Sequence, residues 1–130
     1  MAAAAVCIST SMVSAETIYD CSFNDPGNSS WIPAQVVFVT TPDTSEILVA
    51  DPIIQYFTKK KTIVGAIKSD SAAKLTVGWT VKARDNAGQL ATLVYRVSYF
   101  KAKKNAFITM QAQGYTNQTR GDGSCKIKER

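Results

Sequence analysis

Few side chains in this sequence are of a type that could carry out catalysis. The chain of 130 residues contains no histidine, which removes the general base that activates Ser-His and Cys-His nucleophiles. It also removes the neutral imidazole on which most zinc and copper sites rely. The glycines are scattered and form no phosphate-binding loop. We therefore expect a non-enzymatic protein with no metal site and no cofactor.

Acidic side chains are the remaining candidates for acid–base chemistry. Most of them lie at the ends of predicted strands or in turns, where a carboxylate usually hydrogen-bonds the backbone. These residues are Asp20, Asp25, Asp43, Glu46, Asp51, Asp70 and Asp85. Two carboxylates converging in one cleft would support a carboxylate-based hydrolase of the glycosidase type. That enzyme is kept as a second alternative, which their separation in the folded chain decides.

The cysteines point to one disulfide. Cys7 lies in the segment before Glu16, whereas Cys21 and Cys125 lie near the two ends of the remaining chain. An even pair in an exported domain is typical of a disulfide, and the alternative is two free buried thiols. The bond would join the first and last elements, which should then be neighbours. In the chain-entropy model, closing a loop of about a hundred residues contributes on the order of 4 to 5 kcal/mol.

The first fifteen residues differ in composition from the rest. Residues 1–15 contain no charged side chain, and Val13 and Ala15 occupy the −3 and −1 positions before Glu16, a pattern typical of signal peptidase sites. The basic start of a usual leader is missing. We predict a cleaved signal peptide over 1–15 and a single β domain over 16–130 that is exported, either periplasmic or secreted. The alternative is an N-terminal extension of a cytosolic protein.

Alternating apolar residues predict an all-β architecture. In 75–85 and again in 91–99 every second residue is apolar, and the intervening Asp85-Asn86-Ala87-Gly88 favours a tight turn. Further predicted strands cover 35–41, 46–50, 53–57, 62–68 and 106–112. With the two cysteine-bearing terminal segments, we predict a small antiparallel β-barrel or sandwich of about eight strands, rich in meanders. Gly121 and Gly123 predict a turn before the last strand.

Four aromatic residues are the candidate ligand contacts. Trp79, Tyr95 and Tyr99 lie on predicted inward faces of neighbouring strands, and Trp31 precedes the second strand. At the mouth of a barrel such rings can stack on a ligand ring or a sugar. The alternative is that they fill the core. A deep cavity lined by the three inward rings would favour a binding module, and a filled interior would favour a structural protein.

Basic side chains cluster at two predicted turns. The clusters are Lys59, Lys60 and Lys61, and Lys101, Lys103 and Lys104. Because turns alternate in an up-and-down meander, we expect the clusters at opposite ends. A nucleic-acid site needs one continuous basic stripe with interleaved aromatic residues, so we expect no nucleic-acid binding. The net charge of +5 is compatible with weak attraction to anionic envelope polymers, or with a purely solubilising role for the lysines.

Three short motifs frame the predicted domain. They are Tyr19-Asp20-Cys21, Trp31-Ile32-Pro33 and Gly121 through Cys125. In this framing the chain resembles uncharacterised small exported β-domain proteins of proteobacteria, and the resemblance implies no activity and no site residues. The Tyr-x-Cys opening also resembles, in architecture only, the periplasmic inhibitors of C-type lysozyme. Their inhibitory Ser-Gly-x-Arg-Tyr type loop has no counterpart in this sequence.

Taken together, the missing catalytic groups, the predicted leader and the predicted disulfide favour a non-catalytic binding or inhibitor module of the bacterial envelope or secretome. Its expected partner is a protein or a small ligand outside the cytoplasm. A structural, envelope-associated protein without a discrete ligand is the alternative.

Overall fold

The computed structural model describes residues 15–84 and 87–130. The elements in this part are β1 Thr17–Phe23, β2 Gln35–Thr40, β3 Glu46–Ala50, α1 Pro52–Thr58, β4 Ile63–Asp70, β5 Lys74–Arg84, β6 Leu90–Phe100, β7 Asn105–Ala112 and β8 Gln118–Glu129. The predicted leader, Cys7 included, lies outside the described residues except for Ala15. Asp85 and Asn86 of the predicted hairpin turn also lie outside them.

The strands close into a barrel. Each strand pairs antiparallel with its neighbour in sequence order, and β8 pairs with β1. A disulfide joins Cys21 of β1 to Cys125 of β8, and these two residues are direct partners in the strand register. The predicted all-β fold and the predicted tie between neighbouring first and last strands are therefore confirmed, and of the two predicted architectures, barrel or sandwich, the structure is the barrel.

The barrel interior is filled by every second residue of its longest hairpin. β5 and β6 pair along their full length, from Lys74 opposite Phe100 to Arg84 opposite Leu90. The inward residues of β5 are Leu75, Val77, Trp79, Val81 and Ala83, none more than 4% exposed. This is the period of two that strand geometry imposes, so the alternation in the sequence correctly assigns the inner face.

One predicted strand, 53–57, is wrong, because Pro52–Thr58 forms the helix α1. The carboxylate of Asp51 accepts a hydrogen bond from the N–H of Ile54 at 2.7 Å and caps the helix. Pro52 stands in the first turn, where no backbone N–H is required. A helix of 7 residues is too short to show helical spacing, and its apolar and aromatic residues resemble a strand. Ile54 joins the barrel core, so α1 covers one end of the barrel.

The two ends of the barrel carry different connections. The helix end holds α1, the loop 24–34 between β1 and β2, and the β5–β6 and β7–β8 connections. The terminal end holds Glu16, Arg130 and the β2–β3, β4–β5 and β6–β7 turns. Lysines 59–61 follow α1 at the helix end, and lysines 101, 103 and 104 lie in the β6–β7 turn at the terminal end. The two basic clusters are thus at opposite ends, as the alternation of turns predicts.

Gly121 and Gly123 lie within β8, so the turn predicted there is wrong. A Cβ atom at Gly121 would collide with the carbonyl oxygen of Asn24, and one at Gly123 would collide with that of Ser22. Glycine at these positions allows the backbone of β8 to pass close to β1 and the following loop. Close approach, and not a change of chain direction, accounts for both residues.

Candidate recognition surface

The four aromatic residues predicted as ligand contacts occupy three different places. Trp79 and Tyr95 stack with ring centroids 5.7 Å apart, and Trp79 is 4% and Tyr95 0% exposed. Tyr99, 4% exposed, lies nearer the terminal end, edge-on to Tyr19 at 5.5 Å. Trp31 is 37% exposed. Among these four, only Trp31 presents its side chain to solvent, and the three inward rings are packed in the core.

The loop 24–34 holds Trp31 through its own hydrogen bonds. The Asp25 carboxylate accepts from the Ser29 hydroxyl at 3.2 Å and from the Ser30 N–H at 3.0 Å. Ser29 Oγ in turn accepts from the Trp31 N–H at 3.1 Å. Ser30 adopts a φ of 67°, a left-handed conformation that non-glycine residues rarely adopt. The carboxylate organises this turn in the way aspartate commonly does, so the backbone entering Trp31 is defined before any partner binds.

The buried Tyr95 holds the backbone of Trp31 in place. The Tyr95 hydroxyl donates to the Trp31 carbonyl oxygen at 2.8 Å. Burial raises the pKa of Tyr95, and the negative charge of Asp51 raises it further. The hydroxyl therefore keeps its proton and remains a donor at physiological pH. Trp31 is anchored to the barrel core through its backbone, while its indole ring stays at the surface.

The exposed ring of Trp31 belongs to a larger aromatic surface. It stacks on Phe57 with centroids 6.1 Å apart, and Tyr56 meets Phe57 edge-on at 4.8 Å. Tyr56 is 68% exposed. We call Trp31, Ile53, Tyr56 and Phe57 the aromatic patch. It borders a groove of about 330 Å³ whose walls are Ser29, Ser30, Trp31, Pro52, Ile53, Tyr56 and Phe57.

Sequence reasoning missed Tyr56 and Phe57 because it assigned them to a strand. In a strand these two neighbours would point to opposite faces, whereas in α1 both join the patch. The signal that could have found them is Asp51-Pro52, an N-cap residue followed by proline at the first helical position. Only the fold, however, brings the loop 24–34 beside α1.

Positive charge borders the aromatic patch. The Lys59 ammonium lies 5.1 Å from the centroid of the Tyr56 ring, within the range of a cation–π contact. Lys60 and Lys61 follow and are exposed. By contrast, Lys101 at the terminal end is paired with Asp70 at 2.6 Å. The helix end therefore combines an apolar aromatic surface with a basic rim.

Asp51 is the one carboxylate buried among residues 15–84 and 87–130, at 7% exposure. Burial raises its pKa above the ordinary value, although the N–H groups of Ile54 and Ile53 lower it in part. Its Oδ2 atom has no hydrogen-bonding partner of adequate geometry in the described chain. Because the folded-state pKa is raised, the protonated carboxyl favours folding, and that contribution is lost as the pH rises through the folded-state pKa.

Asp51→Asn and Asp51→Ala are expected to differ at pH 7. Asparagine retains a cap acceptor and removes the buried charge, so D51N should be at least as stable as the parent protein. D51A loses the cap and should be less stable by about 1 kcal/mol. Urea unfolding at neutral and at acidic pH measures both, and any advantage of D51N should shrink in acid. Equal destabilisation by D51N and D51A at pH 7 would show that the charge itself is needed.

Within the described residues, no group of three or more histidine, cysteine, aspartate or glutamate side chains is arranged to hold a metal ion. The same part of the chain has no helix long and apolar enough to cross a membrane. Comparison with protein-family models, with curated proteins and with solved structures finds no match. Any functional conclusion therefore depends on the chemistry of the surface just described.

Proposed function

We propose that this protein is a non-catalytic binding module that acts outside the cytoplasm and binds its partner through the aromatic patch. The observation that carries the proposal is Trp31: a large apolar ring, 37% exposed, on a backbone hydrogen-bonded on both sides. Tryptophan and tyrosine are the residues most enriched among interface hot spots. Exposed aromatic side chains on a structured support are typical of a binding surface.

The anchoring of Trp31 has an energetic consequence for binding. Ordering a side chain or loop on association costs on the order of 0.5 to 1.5 kcal/mol for each immobilised side chain. The Asp25 and Tyr95 hydrogen bonds already order part of the loop 24–34 in the free protein, which reduces the entropy lost on binding. A partner that inserts an apolar group beside Trp31 therefore gains burial with little further ordering.

The charge of the helix end favours an anionic partner. Lys59, Lys60 and Lys61 border the aromatic patch, and none of them has an ion pair within the described residues. Complementary charge accelerates association and discriminates against cationic partners. We expect the partner to present an apolar group flanked by acidic groups, which fits an acidic protein surface. The disulfide supports the exported location, because such bonds persist in oxidising compartments.

Replacing Trp31 by alanine is expected to weaken partner binding by at least about 30-fold, the loss typical of a hot-spot residue. The measurement is capture from an envelope extract with the immobilised protein, identification by mass spectrometry, and titration of the captured partner. Tyr115→Ala is the matched control for Tyr56→Ala, because these side chains are 67% and 68% exposed. W31A and Y56A should lose the partner, and Y115A should retain it.

Thermal unfolding separates lost binding from lost folding in these variants. The Trp31 backbone hydrogen bonds remain in W31A, so its midpoint should stay close to that of the parent protein. A partner retained equally by W31A and Y56A would overturn the proposal. So would the absence of any partner enriched over the W31A protein.

A structural, envelope-associated role is the second candidate. The observation that favours it is the filled barrel interior, because Trp79, Tyr95 and Tyr99 are each at most 4% exposed. Within the described residues these three rings are packed in the core and closed to solvent. Failure of the Trp31-dependent capture would favour this second role.

A further inference from the structure

A row of exposed aliphatic residues crosses the outer wall of the barrel. Leu48 of β3 is 51% exposed and Val64 of β4 is 59% exposed, and they are direct partners in the strand register. Val39 of β2 lies opposite Leu48 on the other side. Val94 of β6, 37% exposed, continues the apolar surface beyond β5. Thr80 of β5 is exposed and stands between Val64 and Val94 in this row. A largely aliphatic surface of this kind on a small protein usually marks a contact with another molecule.

The next row, toward the terminal end, has charge at both ends and two small residues between, and the Lys68 side chain lies over one of them, Gly78. Glu46 of β3 pairs with Ala66, Ala66 pairs with Gly78, and Gly78 pairs with Arg96 of β6. The small residues leave a groove of about 340 Å³ at β4, β5 and β6. Three strand spacings of about 4.8 Å separate β3 from β6. Glu46 and Arg96 are therefore on the order of 14 Å apart and do not neutralise each other.

Two neighbouring grooves on this wall have opposite charge. The groove at β4–β6 contains Lys68 and Arg96 and no acidic residue in its lining. The adjacent groove, of about 270 Å³, contains Glu16 and Glu46 and no basic residue. Val64 lines both grooves. Within the described part of the chain, the side chains of Glu46, Lys68 and Arg96 form no ion pair, whereas Glu16 is paired with Arg130 at 3.7 Å.

We propose that this wall, the outer face of β3 to β6, binds a second copy of the chain, and that the two copies are related by a two-fold axis that lies in the contact plane, parallel to the strands and between β4 and β5. Such an axis exchanges the two ends of the charged row. It places Glu46 of each copy against Arg96 of the other, and the basic groove of each against the acidic groove of the other. A surface that is complementary to itself in this way is what an isologous dimer requires.

The packing of the wall agrees with this symmetry. The axis also places the aliphatic row of each copy against the same row of the other, so that Leu48 lies opposite Val94, and Val64 opposite Thr80, of the second copy. The exposed side chains of the two aliphatic rows therefore pack against each other on both sides of the axis. The apolar contact supplies burial, and the two ion pairs set the register and select a second copy over other proteins.

The dimer leaves the aromatic patch free. A two-fold axis parallel to the strands keeps the direction of the barrel, so the helix ends of the two copies lie on the same side of the dimer. The dimer would thus present two aromatic patches on one side, where two sites of one large partner could bind both. Two linked sites raise the apparent affinity for a multivalent partner through effective concentration.

Charge reversal tests the dimer. Sedimentation velocity over protein concentrations from about 5 to 300 µM, a span suited to a small interface, should show a concentration-dependent dimer for the parent protein. E46R and R96E should each weaken dimerisation by at least about tenfold through like-charge contacts. The double variant E46R/R96E restores opposite charges across the axis and should return the dimer constant to near the parent value.

Two control variants make this test decisive. K126E changes an exposed charge on β8, away from the wall, and should not affect dimerisation. Val64→Lys should abolish the dimer, whereas Leu90→Lys, at a residue 54% exposed on the helix-end side, should not. A parent protein that is monomeric throughout the range would overturn the proposal. A dimer that E46R/R96E fails to restore would do the same, since it would place the interface elsewhere.

Discussion

Removing the disulfide by the double substitution Cys21→Ala and Cys125→Ala is expected to lower the free energy of unfolding by about 4 to 5 kcal/mol. The two cysteines are 104 residues apart, so the bond closes nearly the whole domain into one loop. Without it, the unfolded chain gains the conformational freedom of its ends. The folded barrel has to hold β1 against β8 by backbone hydrogen bonds and packing alone.

Denaturant unfolding of three samples measures this contribution. They are the oxidised parent protein, the parent protein with a reductant, and the C21A/C125A variant. The last two should agree within about 1 kcal/mol if the cost comes from loop closure and not from the small cavity that alanine leaves. A variant as stable as the oxidised protein would show that β1–β8 pairing, which runs from Thr17 opposite Glu129 to Phe23 opposite Gly123, suffices to close the barrel.

Trp79→Ala is expected to have the second largest effect, a loss of about 3 to 5 kcal/mol, because it empties a large volume in the packed interior. Trp79 stacks on Tyr95 and is 4% exposed. Its indole Nε1 is buried and has no hydrogen-bonding partner within the described residues. Trp79→Phe keeps a stacked ring and removes this unsatisfied donor, so its loss should be well under half that of W79A.

The pair W79A and W79F also separates a core role from a ligand-binding role. Urea unfolding gives the stability of each variant, and capture of the partner through the aromatic patch gives its binding. If Trp79 is a core residue, W79F should bind as the parent protein does. A W79A protein that keeps its stability and loses its partner would instead assign the ring to a ligand pocket.

The sequence of this protein determined the elements whose signal is local or covalent. Period-two alternation from Leu75 to Ala83 identified the inner face of β5, because a strand alternates its side chains whatever surrounds it. The positions of Cys21 and Cys125 near the ends of the domain predicted that the first and last strands are neighbours. The number of predicted strands and the spacing of the turns predicted an antiparallel barrel or sandwich, with the two lysine clusters at opposite ends.

Tertiary structure alone decided which aromatic residues reach the surface. From the sequence, each of four rings could either contact a ligand or pack in the core: Trp31, Trp79, Tyr95 and Tyr99. Their exposure differs because Trp79, Tyr95 and Tyr99 lie at inward positions of a filled barrel, whereas Trp31 lies on the loop 24–34 at the helix end. Tyr56 joins Trp31 only because Asp51 caps a helix too short to leave a period in the sequence.

The charged residues that share the outer wall could not be identified from the sequence either. Glu46 and Arg96 lie 50 positions apart in the sequence, and neither neighbourhood suggests a common surface. They fall on one row because three successive strand pairings set their register. Pairing depends on contacts between distant segments, so the sequence determined which residues form strands and face inward, and the closed register decided which outward residues meet. That is why a barrel or sandwich joined by this disulfide could be predicted, and why both candidate binding surfaces required the folded structure.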